Sequence, residues 1–347
     1  MVICRFVMMF FSGSLKKTST FLTLIYNIRF EFEKTRNEMK TAFFFPGQGS
    51  QSLQMMAGFA GEPIVKQTFD EASDALNQDL WAMIHAESAD LINQTENTQP
   101  IMLAAGFAVW RVYQARGGKT PSVLAGHSLG EYTALTVAGS LNFADAVKLV
   151  RQRATLMQTA VPQGKGAMAA VLGLDDNEVI AVCQEAAQGE VVEAVNFNSV
   201  GQVVIAGDTA AVNRAMEIAK NKGAKRALLL PVSVPSHCAL MKPAAEKLVQ
   251  AFENVAFRLP EIPVIHNADV ASYNDLDKIK DALARQLYSP VRWTETVRQV
   301  VADGITQSAE CAPGKVLAGL VKRTDKNLPC AALTDIAAVE ELIAGQN

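Results

Sequence analysis

The chain has 347 residues, of which 49% are hydrophobic and 19% are charged, and its net charge is −3. The length is enough for about two domains, and the composition is that of an ordinary globular protein. The small net charge gives no electrostatic reason to expect nucleic acid or an acidic membrane surface as a partner. The five cysteines are far apart and form no C-x-x-C pair, which argues against a zinc site or a disulfide framework. A reducing, cytoplasmic setting is the simplest interpretation.

Residues 1–38 differ from the rest of the chain. The apolar run Met1 to Phe11 is interrupted by Arg5, and a second run, Phe21 to Tyr26, is also short. Neither approaches the roughly 20 apolar residues that span a bilayer, and the first run lacks the charge order of a signal peptide. We therefore predict an N-terminal extension outside the fold, which starts at Met39, and no membrane association.

From Met39 onward, short apolar strands alternate with helical patterns, which is typical of α/β folds. The elements predicted before residue 164 are the strands Thr41 to Phe45 and Ser122 to Ala125 and the helices Val65 to Leu76, Ile101 to Gln114, Glu131 to Leu135 and Phe143 to Thr159. Those predicted after residue 234 are the strand Val264 to Asn267 and the helices Lys278 to Leu287, Thr294 to Ala302 and Pro313 to Lys322. The last of these helices would have its proline near the first position.

A self-contained block lies between these two parts. Its predicted elements are the strand Ala167 to Leu172, the helix Asn177 to Ala187, the strands Val191 to Asn198 and Val203 to Gly207, the helix Ala210 to Lys222 and the strand Ala224 to Pro231. The order β-α-β-β-α-β is that of a ferredoxin-like unit. We predict a body formed by 39–164 and 234–347, a ferredoxin-like subdomain at 165–233, and a ligand cleft between them.

The pentapeptide Gly126-His127-Ser128-Leu129-Gly130 joins a predicted strand to a predicted helix, which is the context of a G-x-S-x-G nucleophile elbow. The turn is so sharp that the residues two before and two after the serine must lack bulk, hence the two glycines. Ser128 is therefore the candidate nucleophile, and free N–H groups at the start of the helix can hold an oxyanion. This elbow predicts an α/β-hydrolase-like body. An ordinary glycine-bracketed turn is the alternative.

A serine nucleophile needs a base, and the four histidines are few enough to compare. His127 is adjacent to Ser128, so its side chain should point away from the serine hydroxyl, and nothing local marks His85. His237 lies where the predicted subdomain ends and the chain returns to the body, which favours it as the base. His266, at the end of a predicted strand, is the second candidate. A purely structural role is the alternative for each histidine.

Six sequence blocks carry a resemblance to a known family. In chain order they are Phe45-Pro46-Gly47-Gln48-Gly49-Ser50-Gln51, Gly126-His127-Ser128-Leu129-Gly130-Glu131-Tyr132, Val195-Asn196-Phe197-Asn198-Ser199, Pro235-Ser236-His237, Gln286-Leu287-Tyr288-Ser289-Pro290-Val291 and Pro313-Gly314-Lys315-Val316-Leu317. In this order the chain resembles the malonyl-CoA:acyl carrier protein transacylases of bacterial type II fatty acid synthesis. The resemblance covers about 39–347, and a ferredoxin-like insertion belongs to that family's architecture.

The resemblance implies roles for residues from four of these blocks. Ser128 would take the malonyl group from coenzyme A as an ester, in ping-pong order. His237 would act as its base, oriented by the main-chain carbonyl of Gln286 rather than by an acid. The main-chain N–H groups of Gln48 and Leu129 would form the oxyanion hole.

The resemblance also implies the substrates. Arg153 would form a two-pronged pair with the free malonyl carboxylate, whereas Arg151 should lie on another face of the same helix. The partners would be malonyl-CoA and acyl carrier protein, with no nucleic acid and no membrane. We expect a cytoplasmic monomer that uses no metal and no cofactor, since the coenzyme A thioester is itself a substrate.

Two other functions are compatible with the same elbow. A serine esterase or thioesterase should show an acid between the serine and a late histidine, and Asp208 followed by His266 satisfies that order. A noncatalytic scaffold of acyl-carrier assembly is the second alternative.

Overall fold

The structure is a computed structural model that describes residues 40–232 and 234–346. The strands are β1 (Thr41–Phe45), β2 (Val123–Gly126), β3 (Gly166–Leu172), β4 (Val192–Ser199), β5 (Gln202–Asp208), β6 (Arg226–Leu229), β7 (Val264–Ile265), β8 (Gln307–Glu310) and β9 (Cys330–Ala332). The helices are α1 (Pro63–Leu76), α2 (Leu80–Ile84), α3 (Thr95–Ala115), α4 (Gly130–Val137), α5 (Phe143–Ala160), α6 (Asp176–Ala187), α7 (Thr209–Asn221), α8 (Lys242–Phe252), α9 (Leu276–Gln286), α10 (Trp293–Ala302), α11 (Val316–Thr324) and α12 (Ile336–Ala344). The predicted extension, 1–38, lies outside the described residues.

A five-stranded parallel sheet in the order β7-β2-β1-β8-β9 organises most of the chain. All residues of β1 are buried, because helices cover both faces of a parallel sheet. The register pairs Phe45 with Gly126 and Phe44 with Glu310, so β1, β2 and β8 end at the same edge. The loops that leave this edge carry the candidate site, which is where open parallel sheets bind ligands.

A separate four-stranded antiparallel sheet has the order β4-β5-β3-β6. Its elements follow one another as β3, α6, β4, β5, α7 and β6. Both helices pack on one face of the sheet around a core that includes Val171, Val182, Ile205 and Ala215. The other face carries a smaller apolar cluster that includes Met168 and Val204. The predicted α/β class is confirmed, and the division into 39–164 with 234–347 and 165–233 stays a prediction.

The structure corrects the start of two predicted helices. Helix α3 begins at Thr95 rather than Ile101, because all but one of its polar residues before Pro100 are buried. The Thr98 hydroxyl, for example, donates to Ile92 O at 2.6 Å. Helix α11 begins at Val316, three residues after Pro313. Its N-terminus is fixed by the buried carboxylate of Glu310, which accepts the N–H of Ala318 at 2.8 Å.

Several short elements were not predicted, and one strand is shorter than predicted. Strand β7 is only Val264–Ile265, because His266 and Asn267 leave the sheet and use their side chains elsewhere. The short strands β8 and β9 and the helices α2, α8 and α12 were not predicted. Across 40–232 and 234–346, no helix is both long enough and apolar enough to cross a membrane.

Candidate active site

Ser128 lies at the turn between β2 and α4, with a backbone φ of +52°, which non-glycine residues rarely adopt. A Cβ atom on Gly126 would lie 1.8 Å from the carbonyl carbon of Gly130. A Cβ atom on Gly130 would lie 1.9 Å from the main-chain oxygen of Phe45. Both glycines are therefore required by close backbone packing, as the motif predicts, and the strained turn carries the serine at its apex.

His237 supplies the base geometry predicted for it. Its Nε2 lies 2.8 Å from Ser128 Oγ, and its Nδ1 lies 2.7 Å from the main-chain oxygen of Gln286. Because a carbonyl can only accept, Nδ1 carries the proton and Nε2 is free to accept the serine proton. Burial, with a smaller effect from the Arg153 charge, lowers the pKa of His237 to about 3, so the ring is neutral at neutral pH.

Arg153 is a buried cation beside the serine. Its guanidinium, on α5, donates from Nη2 to Ser128 Oγ at 3.2 Å and to Gln286 Oε1 at 2.9 Å, and from Nη1 to Gln99 Oε1 at 2.8 Å. The side chain is 1% exposed, and burial lowers its pKa. All three acceptors are neutral, and Nε has no partner among the described residues. Such a group has the charge and the donors to bind a carboxylate.

The loop after β1 packs directly on the elbow. A Cβ atom on Gly47 would lie 2.5 Å from the main-chain oxygen of His127 and 3.5 Å from the nitrogen of Leu129. Within residues 40–232 and 234–346, the N–H groups of Gln48 and Leu129 have no hydrogen-bond acceptor. Two free N–H groups beside a serine suit an oxyanion hole, and that role stays a prediction.

The other histidines have different partners. His266 Nδ1 lies 2.6 Å from Glu131 Oε1, and Asp208 instead accepts the N–H of Val191 at 2.8 Å. The Asp208 and His266 pair that an esterase would need is therefore not formed. His127 points away from the serine hydroxyl, as predicted, and its Nε2 lies 2.8 Å from Asn198 Oδ1.

Arg151, two residues before Arg153, lies on another face of α5, as predicted. Its guanidinium donates to the side chains of Gln78 and Asn97. Two arginines in the same helix thus have separate surroundings, and only Arg153 contacts the serine.

Sequence reasoning missed several residues that surround these groups. The side chain of Asn267 accepts the N–H of Ser128 at 2.7 Å and donates to Gly126 O at 2.6 Å, which holds the elbow on both sides. Gln99 and Glu131 are likewise buried beside the site. Asn198 lies within one of the six blocks, so the sequence drew attention to its position but indicated no function for its side chain. Gln99 lies outside the six blocks, and no sequence pattern pointed to it.

A cleft of about 190 Å³ opens above the serine, between the two sheets. Its wall on the side of the parallel sheet includes Gln48, Gln99, Ser128, Arg153 and His237. Its opposite wall includes Met168, Asn196, Asn198 and Val204 from the antiparallel sheet. Among the described residues, no group of three or more His, Cys, Asp or Glu side chains is arranged to hold a metal ion.

Comparison with known proteins gives one consistent family. Residues 42–344 match the family model of the acyl transferase domain. The chain is 54% identical over 299 residues to the malonyl CoA-acyl carrier protein transacylase of Salmonella typhimurium, a match that covers 86% of this chain and 97% of that protein. A crystal structure of an acyl-carrier-protein S-malonyltransferase from Burkholderia pseudomallei is 56% identical, with a TM-score of 0.87 over 88% of this chain and 100% of that one.

A further solved structure similar to this chain is a holo complex of a type II PKS acyl-carrier protein with its malonyl-transacylase. That structure has a TM-score of 0.87 and 52% identity, and the match covers 88% of this chain and 99% of that one.

Proposed function

This chain belongs to the malonyl CoA-acyl carrier protein transacylase family of acyl transferases, and we propose that it moves a malonyl group from malonyl-CoA to the phosphopantetheine thiol of an acyl carrier protein. The resemblance predicted from the six blocks is confirmed. By the same likeness, we propose that the parallel-sheet body is α/β-hydrolase-like and that the antiparallel unit is ferredoxin-like.

Acylation would use the pair formed by Ser128 and His237. Ser128 Oγ attacks the thioester carbonyl carbon while His237 Nε2 accepts the hydroxyl proton. The N–H groups of Gln48 and Leu129 bind the oxyanion of the tetrahedral intermediate. Its collapse breaks the carbon–sulfur bond, and the imidazolium returns the proton to the coenzyme A thiolate. This step leaves a malonyl ester on Ser128 and a neutral His237.

Deacylation would run the same steps with a different thiol. The phosphopantetheine thiol gives its proton to His237 Nε2 and attacks the ester carbonyl, and the proton then returns to Ser128 Oγ as the ester bond breaks. Nucleophile, base and oxyanion donors all come from the chain, so we propose that the reaction uses no metal and no cofactor. A monomeric, cytoplasmic enzyme stays a prediction.

The observation that carries the proposal is the position of Arg153. Its guanidinium is buried among neutral acceptors and donates to the nucleophile itself, at 3.2 Å from Ser128 Oγ. An acyl group with a terminal carboxylate would complete the charge pair that the protein leaves open. An acetyl group has no carboxylate and would leave the buried arginine without an anionic partner, which disfavours it.

The proposal is tested by following labelled malonate. Incubation with malonyl-CoA radiolabelled in the malonyl group should leave the label on the protein, and addition of holo acyl carrier protein should move it to the carrier. Ser128→Ala should abolish labelling, with transfer reduced by about 10⁴-fold or more. Ser122→Ala, an exposed serine just before β2, is the matched control and should label normally.

Other outcomes point to the alternative functions. Label released mainly as free malonate would indicate a thioesterase. Full labelling of Ser128→Ala would remove the serine from the mechanism. Complete absence of labelling in the unmodified chain would leave a noncatalytic carrier-binding role as the better explanation.

A further inference from the structure

Glu131, directly after the elbow, is a completely buried carboxylate that the proposed mechanism does not use. Three donors converge on it. His266 Nδ1 lies 2.6 Å from Oε1, and Oε2 accepts both the main-chain N–H of Asn267 at 2.9 Å and the side-chain amide of Gln286 at 2.9 Å. A site built only of donors suits a carboxylate, because both of its oxygens accept and neither donates.

Gln286 connects this carboxylate to the reacting groups. Its side-chain Nε2 donates to Glu131 Oε2 and to the main-chain oxygen of Ser128, each at 2.9 Å. Its Oε1 accepts from Arg153 Nη2 at 2.9 Å, and its main-chain oxygen accepts from His237 Nδ1 at 2.7 Å. One residue therefore contacts the nucleophile backbone, the base and the arginine.

We propose that Glu131 is a positioning residue for acyl-group selection, because it fixes the orientation of the Gln286 amide and thereby holds the Arg153 guanidinium beside Ser128. The inference rests on the proposed function of Arg153.

The physical reason lies in the two ends of the amide. An amide has one accepting and one donating end, and the reverse orientation would place NH₂ against the guanidinium, which has only donors. The carboxylate of Glu131 and the main-chain oxygen of Ser128 both accept from Nε2 and would both repel Oε1, and the carboxylate, as the charged acceptor, opposes that orientation more strongly. Glu131 also contributes a negative charge that offsets part of the cost of burying Arg153.

The first test replaces the carboxylate by its neutral isostere. Glu131→Gln removes the negative charge that faces Gln286 Nε2 and turns one of the two accepting oxygens into a donating NH₂. The Gln286 amide is therefore held less firmly in its orientation. We expect the ratio of kcat/KM for malonyl-CoA to kcat/KM for acetyl-CoA to fall by about tenfold. A merely structural role would lower both values equally and leave the ratio unchanged.

Glu310→Gln is the matched control. Glu310 is also completely buried, but its carboxylate accepts a helix N–H in α11 and makes no hydrogen bond to Gln286 or Arg153 among the described residues. We expect this variant to keep the malonyl to acetyl ratio whatever happens to its stability. The proportion of folded protein in each variant is measured by thermal unfolding.

A second variant tests whether Glu131 acts on Arg153 through the side-chain amide of Gln286. Gln286→Met keeps the main-chain carbonyl that orients His237 and removes only the side-chain amide, so it should itself lower the ratio. If Glu131 acts through that amide, the double variant with Glu131→Gln and Gln286→Met should have a ratio less than about twofold below that of Gln286→Met alone. A full tenfold further loss would overturn the inference, as would an unchanged ratio in Gln286→Met.

The two proposals fail in different ways. If the unmodified chain shows no preference for malonyl over acetyl groups, the proposed function of Arg153 fails. If that preference is present and Glu131→Gln keeps it, the role of Glu131 fails while the proposed function stands.

Discussion

The two walls of the cleft are built from different chemistry. The wall on the side of the parallel sheet carries Ser128, His237 and the buried cation Arg153, each with a defined hydrogen-bond partner. The opposite wall, from the antiparallel sheet, contributes Asn198 and apolar side chains such as Met168. The residues proposed to recognise charge and those proposed to make and break bonds thus lie on the same wall. The other wall offers neutral amides and shape, so substitutions on the two walls should have different signatures.

The largest expected effect on substrate preference is loss of charge recognition in Arg153→Ala. We expect kcat/KM for malonyl-CoA to fall by about 10²- to 10³-fold, because the substrate carboxylate loses its partner in a buried site. The value for acetyl-CoA should fall much less, so the substrate preference should collapse. Steady-state rates with both substrates measure this.

The control for that variant is Arg151→Ala, in the same helix. Arg151 bonds Gln78 and Asn97 and has no contact with the serine among the described residues. We expect the preference for malonyl-CoA to be kept. Equal loss of preference in both variants would mean that helix packing, rather than the Arg153 charge, selects the acyl group.

The pH dependence of the same wall tests the protonation state of His237. The neutral form of His237 is the base in the proposed mechanism. Its pKa is lowered to about 3, so acidification to about pH 5 leaves the ring neutral. We expect kcat/KM to change by less than about twofold between pH 7 and pH 5. If the pKa had the ordinary value of about 6.5, the neutral fraction of the histidine, and with it kcat/KM, would fall about 25-fold over that range. A decline centred near pH 6.5 in the rate profile would contradict this expectation.

A smaller loss of kcat/KM than in Arg153→Ala is expected for a substitution on the opposite wall. Asn198→Ala removes the acceptor that lies 2.8 Å from His127 Nε2, a loss that typically corresponds to about fivefold in kcat/KM. Because Asn198 carries no charge, malonyl-CoA and acetyl-CoA should be affected equally. A change in their ratio would show that the antiparallel wall also selects the acyl group, and the contrast between the walls would then be wrong.

Much of the fold could be predicted because its signals are local. Strand β1 matches its prediction residue for residue, and α5 differs by a single residue at its end. The elbow was a local inference at Gly126, where a Cβ atom would clash with the main chain of Gly130 in the same turn. Gly130 is instead required by the close approach of Phe45 in β1, a contact between distant residues. Helix α11 was misplaced because its N-terminus is set by Glu310 from the preceding strand, a contact that periodicity does not reveal.

The sequence by itself indicated Ser128 as the candidate nucleophile and predicted the α/β class, and through its six blocks it indicated the family. Only the tertiary structure showed by which contacts distant groups meet at Ser128. It brings His237 to the serine from 109 residues away, and it places the Gln286 amide between Glu131 and Arg153. The physical reason is that steric and conformational preferences act within a few residues, whereas these contacts depend on strand register and helix packing across the whole chain.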